Sequence, residues 1–131
     1  MRLRLSLLGL CGVMAGGGIL HFIVPGPYRH IVPAPLQPRA AEVVALSGVC
    51  ELACAVLLAM RRTRVLGAWA TAALLVAVFP ANVQMALDNG HSGLSFPLNG
   101  AALAWLRLPL QIPLIAWALS FRRTVQVHQP L

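Results

Sequence analysis

Apolar positions come in four long blocks along this chain, and polar positions are mostly confined to the joints between them. The first block runs from Leu5 to Val24. The second starts near residue 41, becomes dense at Val43 and ends at Met60. The third runs from Val65 to Leu87 and the fourth from Ala101 to Ser120. A helix needs about 20 mainly apolar residues to cross a hydrocarbon core about 30 Å thick. Each block reaches or approaches that length. The pattern predicts an all-α fold, a single membrane domain over residues 1–131 built as a four-transmembrane-helix bundle with helices near 5–24, 41–60, 65–87 and 101–120.

The joints supply an orientation. Arg2 and Arg4 precede the first block, Arg61, Arg62 and Arg64 fill the turn between the second and third, and Arg122 and Arg123 follow the fourth. Four crossings put those seven on one side, against Arg29 and Arg39 on the other. The positive-inside bias then places both termini in the cytoplasm. Arg2 and Arg4 before an apolar run also resemble a secretory signal. The run continues to Val24, however, and reads as a span.

The joint from residue 25 to 39 is extracytoplasmic in this scheme. It holds Pro25, Pro27, Pro33, Pro35 and Pro38, too many for one regular helix. Its Tyr28, Ile31, Val32 and Leu36 make it amphipathic. Either it lies as an interfacial lid over the bundle's mouth, with Pro25, Tyr28 and Pro33 as its marker residues, or it is a proline-stiffened connector. The joint from Asp88 to Gly100 is polar and glycine-rich. Pro80, Pro109 and Pro113 should bend the third and fourth helices, which membrane helices tolerate where neighbours satisfy the freed carbonyls.

Composition narrows the reading. Hydrophobic residues make up 59% and charged residues 10%, where a soluble domain carries about 25% charged. The net charge of +7 comes from arginines that mostly flank apolar blocks. Nucleic-acid binding needs a solvent-facing basic surface, so no nucleic-acid partner is expected. Cys11, Cys50 and Cys54 all lie in apolar blocks without a CxxC pair, and read as small buried hydrophobes. His21 has no histidine at helical spacing and no HxxxH or HExxH occurs, so no metal site is expected.

Two charges fall inside the blocks, Glu51 in the second and Arg107 in the fourth. A charge at bilayer depth costs about 2.5 to 3.5 kcal/mol on insertion scales. Pairing offsets much of that, and the compatible depths predict a Glu51–Arg107 salt bridge. Ser47 is four residues before Glu51 and Gln111 four after Arg107, so each pair shares a helix face. With His21 and Asn82 these make a candidate polar pocket of His21, Ser47, Glu51, Asn82, Arg107 and Gln111 in the outer half. The inner half holds almost no polar groups, which argues against a continuous ion path. The six either glue the bundle together or form a site. Gly9, Gly12, Gly16, Gly17 and Gly18 read as a close-packing surface, with Gly12 and Gly16 as a GxxxG pair within it. Trp69, Trp105 and Trp117 read as interface anchors and packing groups.

Several strings resemble the DoxX-like family of small bacterial membrane proteins. They are Gly18, His21, Phe22, Pro25, Tyr28 and Ile31-Val32-Pro33 with Leu36, then Ser47-Gly48 with Glu51, FPANVQMAL from Phe79 to Leu87, and LRLPLQIPLIAWAL from Leu106 to Leu119. The resemblance implies a multi-pass protein of the bacterial inner membrane and four helices. It assigns no catalytic residue. It brings in a quinone as a possible ligand and a redox partner subunit as a possible companion. Three functions stay open: a pocket that is structural or binds a small amphiphile or partner subunit; an accessory subunit of a quinone-linked oxidoreductase; and a small transporter acting as a homo-oligomer. No haem, flavin or iron–sulfur motif is present, and no catalytic centre of the chain's own is expected.

Overall fold

A computed structural model describes residues 1–88 and 101–123. All regular structure there is helical. Helix α1 spans Arg2–Ile23, α2 Pro25–His30, α3 Ala40–Ala59, α4 Arg64–Ala77, α5 Phe79–Leu87 and α6 Ala101–Leu119, with a 3₁₀ turn at Ala34–Arg39 between α2 and α3. The glycine-rich joint beyond Asp88 and the tail after Arg123 lie outside the described residues.

Prolines set several of these boundaries. Pro25 occupies the first turn of α2, where its missing N–H costs nothing. Pro80 does the same in α5. The third apolar block is therefore two helices meeting at Val78. Pro109 and Pro113 lie inside α6, which continues through both.

The expectation of four membrane crossings is corrected. Among the described residues three helical stretches are long and apolar enough to cross a membrane: Arg2–Ile23, Ala34–Ala59 and Arg64–Leu87. The apolar run of α6 is the shorter Ala104–Leu119. At about 1.5 Å per residue it covers about 24 Å, short of a core of about 30 Å. The sequence counts the block over its whole length, Ala101 to Ser120, while the apolar run of the described helix begins at Ala104. Placement of both termini on one side depended on four crossings and falls with them. What stands is a helical, hydrophobic chain with three candidate membrane-spanning helices among the described residues. That is consistent with membrane association and does not single out a bacterial inner membrane.

Helix α1 pairs most extensively with α3, which also packs on α4 and α2; α6 packs on α4 and α5. Small residues allow the closest approaches. A Cβ on Gly18 would stand 2.9 Å from the Gly48 carbonyl oxygen, and one on Gly48 would stand 2.8 Å from His21 Cβ. A Cβ on Gly67 would stand 2.7 Å from the backbone nitrogen of Leu58. Of the five α1 glycines read from sequence as a close-packing surface, Gly9, Gly17 and Gly18 meet neighbours, while Gly12 and Gly16 are exposed and meet nothing within 4 Å.

The α3–α4 turn is fastened by its own side chains. Thr63 Oγ1 donates to the Leu57 carbonyl at 3.0 Å, and Arg64 Nε donates to that of Leu58 at 3.0 Å. Arg64 Nη2 reaches the Ala59 carbonyl at 3.3 Å. The last carbonyls of a helix lack partners within it, and these two residues supply them. Near this turn lies the main core, Leu10, Met14, Cys54, Ala55, Leu58, Ala68, Ala72, Ala118 and Phe121, drawn from α1, α3, α4, α6 and the residues just after α6. Trp117 packs beside it and donates to Ser6 Oγ at 2.8 Å. Trp69 and Trp105 are exposed. A smaller cluster, Ile31, Met85, Ala86 and Ala104, lies under the proline-rich segment.

Candidate functional site

A cavity of about 380 Å³ opens between α3 and the α4–α5 break. Its walls share Leu74 with the edge of the main core and Ile31 with the smaller cluster. Helix α3 contributes Val43, Val44, Leu46, Ser47, Cys50 and Glu51. Their spacing of three and four residues is one helix face. Leu74, Ala77 and Val78 come from the end of α4, and Pro80, Ala81 and Asn82 from the start of α5. The proline-rich segment closes one side with Tyr28, Ile31, Val32, Pro33 and Leu36. The size is at the low end of the about 300–1,000 Å³ common for small-molecule sites.

Five of the six residues named from sequence line this space: His21, Ser47, Glu51, Asn82 and Arg107. Of the three lid residues, Tyr28 and Pro33 line it, while Pro25 starts α2 outside it. Gln111 stands behind the wall. It is buried, donates through Nε2 to the Leu75 carbonyl, and accepts from Asn82 Nδ2 at 3.1 Å. Leu75 is in the last turn of α4, where carbonyls run out of helical partners. Gln111 therefore ties α6 to the break in the third apolar block.

The predicted Glu51–Arg107 salt bridge does not form. Glu51 Oε2 lies 3.4 Å from His21 Nδ1 instead. That nitrogen is 2.7 Å from the Gly17 carbonyl, an acceptor only, so it carries the ring proton and donates it there. Glu51 Oε2 is left buried without a hydrogen-bond partner, as is Ser47 Oγ. Arg107 Nη1 donates to Met85 Sδ at 3.3 Å, and a thioether is a weak acceptor. Sequence depth matched the two charges along the bundle axis but carried no information about rotation around each helix.

His21 has a second neighbour. The Tyr28 ring stacks on it with centroids 3.9 Å apart and planes 27° apart. Burial pushes the Tyr28 phenol up from its usual range, Glu51 adds to the rise, and Arg107 opposes it. The segment that carries Tyr28 is held by Gln37, whose Nε2 donates to the carbonyls of Val32 at 2.7 Å and Arg29 at 3.1 Å.

Sequence reasoning missed Gln37 as a positioning residue and read Gly17 only as part of a packing surface. Gly17 leaves room for the Glu51 carboxyl, since an added Cβ would stand 2.7 Å from Oε2. Gln37 fastens the lid. Its signal was visible as the lone amide among the prolines of residues 25–39. Among the described residues no cluster of three or more His, Cys, Asp or Glu could hold a metal ion.

No curated protein and no solved structure matches this chain. A family model does, over residues 10–122, from the buried Leu10 to the turn that follows α6. Agreement with the DoxX-like expectation is limited to its coarse content, a largely hydrophobic protein of several helices. The chain belongs to the family described as a domain of unknown function, DUF8561.

Proposed function

We propose that this protein holds a small amphiphile drawn from the surrounding bilayer. One observation carries the reading. Of the three buried side-chain oxygens without a partner among the described residues, two, Glu51 Oε2 and Ser47 Oγ, belong to residues lining an otherwise largely apolar cavity, while Thr71 Oγ1 lies outside it. An unpaired buried acceptor costs about 1–3 kcal/mol, a cost that packing alone gives no reason to retain. Asn82 and Gln111 satisfy each other and serve the bundle. Ser47, Glu51 and Arg107 do not close on one another in this way.

Access supports the same reading. Leu46 and Leu36 line the cavity and are 65% and 48% exposed. In a membrane that places an apolar lip at the opening, so an occupant can enter sideways with its apolar part in lipid.

The test is purification of the full chain in mild detergent, followed by native mass spectrometry and extraction of retained small molecules. Wild type should keep about one equivalent of an amphiphile, and Ala81→Phe, which fills the cavity wall, should lose it while keeping its helical circular dichroism. Equal retention by both proteins overturns the proposal.

A further inference from the structure

The two charges of the cavity point to what the head of the amphiphile must be. Glu51 and Arg107 line the same space but do not pair. Glu51 Oε2 has no hydrogen-bond donor, because the nearest N–H, that of His21, is committed to Gly17. Arg107 carries five N–H donors, and among the described residues the acceptor it meets is the Met85 thioether. Partly buried charges left without a full set of partners are disfavoured. A head of one sign relieves one of these groups and worsens the other. An anionic head suits Arg107 and is repelled by Glu51. A cationic head does the reverse.

We infer that the cavity takes a zwitterionic lipid head, with an ammonium nitrogen against Glu51 and a phosphate against Arg107, as in a phosphoethanolamine lipid. This rests on the amphiphile reading above and specifies its head. The geometry suits it in three respects. The charges face one space without touching, which leaves room for a group between them. Phosphate matches the planar donor fork of a guanidinium, and an ammonium offers three donors for which Glu51 Oε2 and Ser47 Oγ are open acceptors. Tyr28, stacked on His21, feels both Glu51 and Arg107, so both charges act on the same side of the lid. The acyl chains leave past Leu36 and Leu46, whose exposure marks the apolar side of the opening.

The experiment titrates the full chain in detergent with four probes read by native mass spectrometry: dihexanoyl phosphatidylethanolamine, dihexanoyl phosphatidylglycerol, dihexanoylglycerol and soluble phosphoethanolamine. The ethanolamine lipid should bind one to one, about tenfold tighter than either other lipid, a difference of about 1.4 kcal/mol. Glu51→Gln should reduce it to the level of the glycerol phospholipid, and Arg107→Gln to that of the diglyceride. Glu51→Asp should keep part of the preference, which separates loss of charge from loss of fold. Soluble phosphoethanolamine should not compete at equal concentration. Equal, saturable binding of all three lipids, abolished by Ala81→Phe, rejects the zwitterion and leaves the amphiphile reading intact. No saturable binding of any lipid rejects both. Competition by the soluble head as strong as by the lipid rejects a lipid as the source.

Discussion

Glu51 and His21 sit 3.4 Å apart across the α1–α3 seam without sharing a proton, because His21 Nδ1 already donates to Gly17 at 2.7 Å. The contact holds the carboxyl in place and leaves one of its oxygens available. This arrangement depends on glycine. Gly17→Ala should push the flexible end of Glu51 aside rather than break the seam, since the conflicting atom is the carboxylate oxygen. Thermal stability should change by less than about 1 kcal/mol, as adjustable contacts give the small end of overpacking costs. Retention of the amphiphile should fall. Unchanged retention would show that the carboxyl position is unimportant.

Gly48→Ala makes the opposite case on the same seam. Its Cβ would meet His21 Cβ and Phe22 at 2.8 Å and the Gly18 carbonyl at 3.1 Å. Backbone cannot step aside as a carboxylate does. A loss of about 1–3 kcal/mol is expected from the overpacking, read as a lower midpoint in detergent-unfolding followed by tryptophan fluorescence. A midpoint equal to that of wild type would contradict the seam.

Gln37→Ala should loosen the lid alone. It removes hydrogen bonds to Val32 and Arg29, worth about 0.5–1.5 kcal/mol each. Amide exchange should quicken over residues 28–37 and stay unchanged across α4. Uniform protection in both would show that the prolines hold the segment without help.

Tyr28 is the sole tyrosine, so absorbance near 295 nm titrates it directly. Its midpoint should lie above that of free tyrosine, chiefly from burial, then from Glu51. Glu51→Gln should lower the midpoint, and Arg107→Gln should raise it. The linkage follows in sign. A folded-state pKa above the unfolded one means the fold holds the proton, so the contribution is complete below the ordinary phenol range and is lost as pH rises through the raised value. A midpoint at or below that of free tyrosine would mean the ring is solvated and the lid open.

Gln111→Leu should destabilise the junction of α4, α5 and α6. It leaves the Leu75 carbonyl and Asn82 without that partner, at about 1–3 kcal/mol for a stranded buried group. Stability should drop with the amphiphile still bound at reduced occupancy. Full stability would mean that the break needs no tie from α6.

Much of the helical plan was legible because apolar block length and proline position act locally. Arg61, Arg62 and Arg64 marked a real turn, and Pro80 marked a real break. The fourth block misled because its length was counted from Ala101 to Ser120, while its apolar run covers Ala104–Leu119. The membership of the polar group was readable from i and i+4 spacing within a helix, as for Ser47 and Glu51. Its pairing was not. Which charge meets which depends on the rotation of each helix, and that is set by where glycines permit contact. Gly17, Gly18 and Gly48 turn α1 and α3 so that Glu51 faces His21. The α1 glycines read together as one packing surface, and nothing in their spacing separates Gly17 and Gly18, which meet α3, from Gly12 and Gly16, which meet nothing.

The side-chain fastening at the α3–α4 turn bears on how the chain assembles. Its bonds join residues five or six positions apart, so closing it costs little loop entropy and needs no distant segment. Gly67 then lets the two helices meet at the backbone of Leu57 and Leu58. This helical pair can form early, with α1 and α6 docking onto it afterwards. Arg64 in that scheme is a rivet: a residue that charge counting assigns to topology spends its guanidinium on the helix end, and leaves Arg61 and Arg62 to meet whatever surface lies beyond.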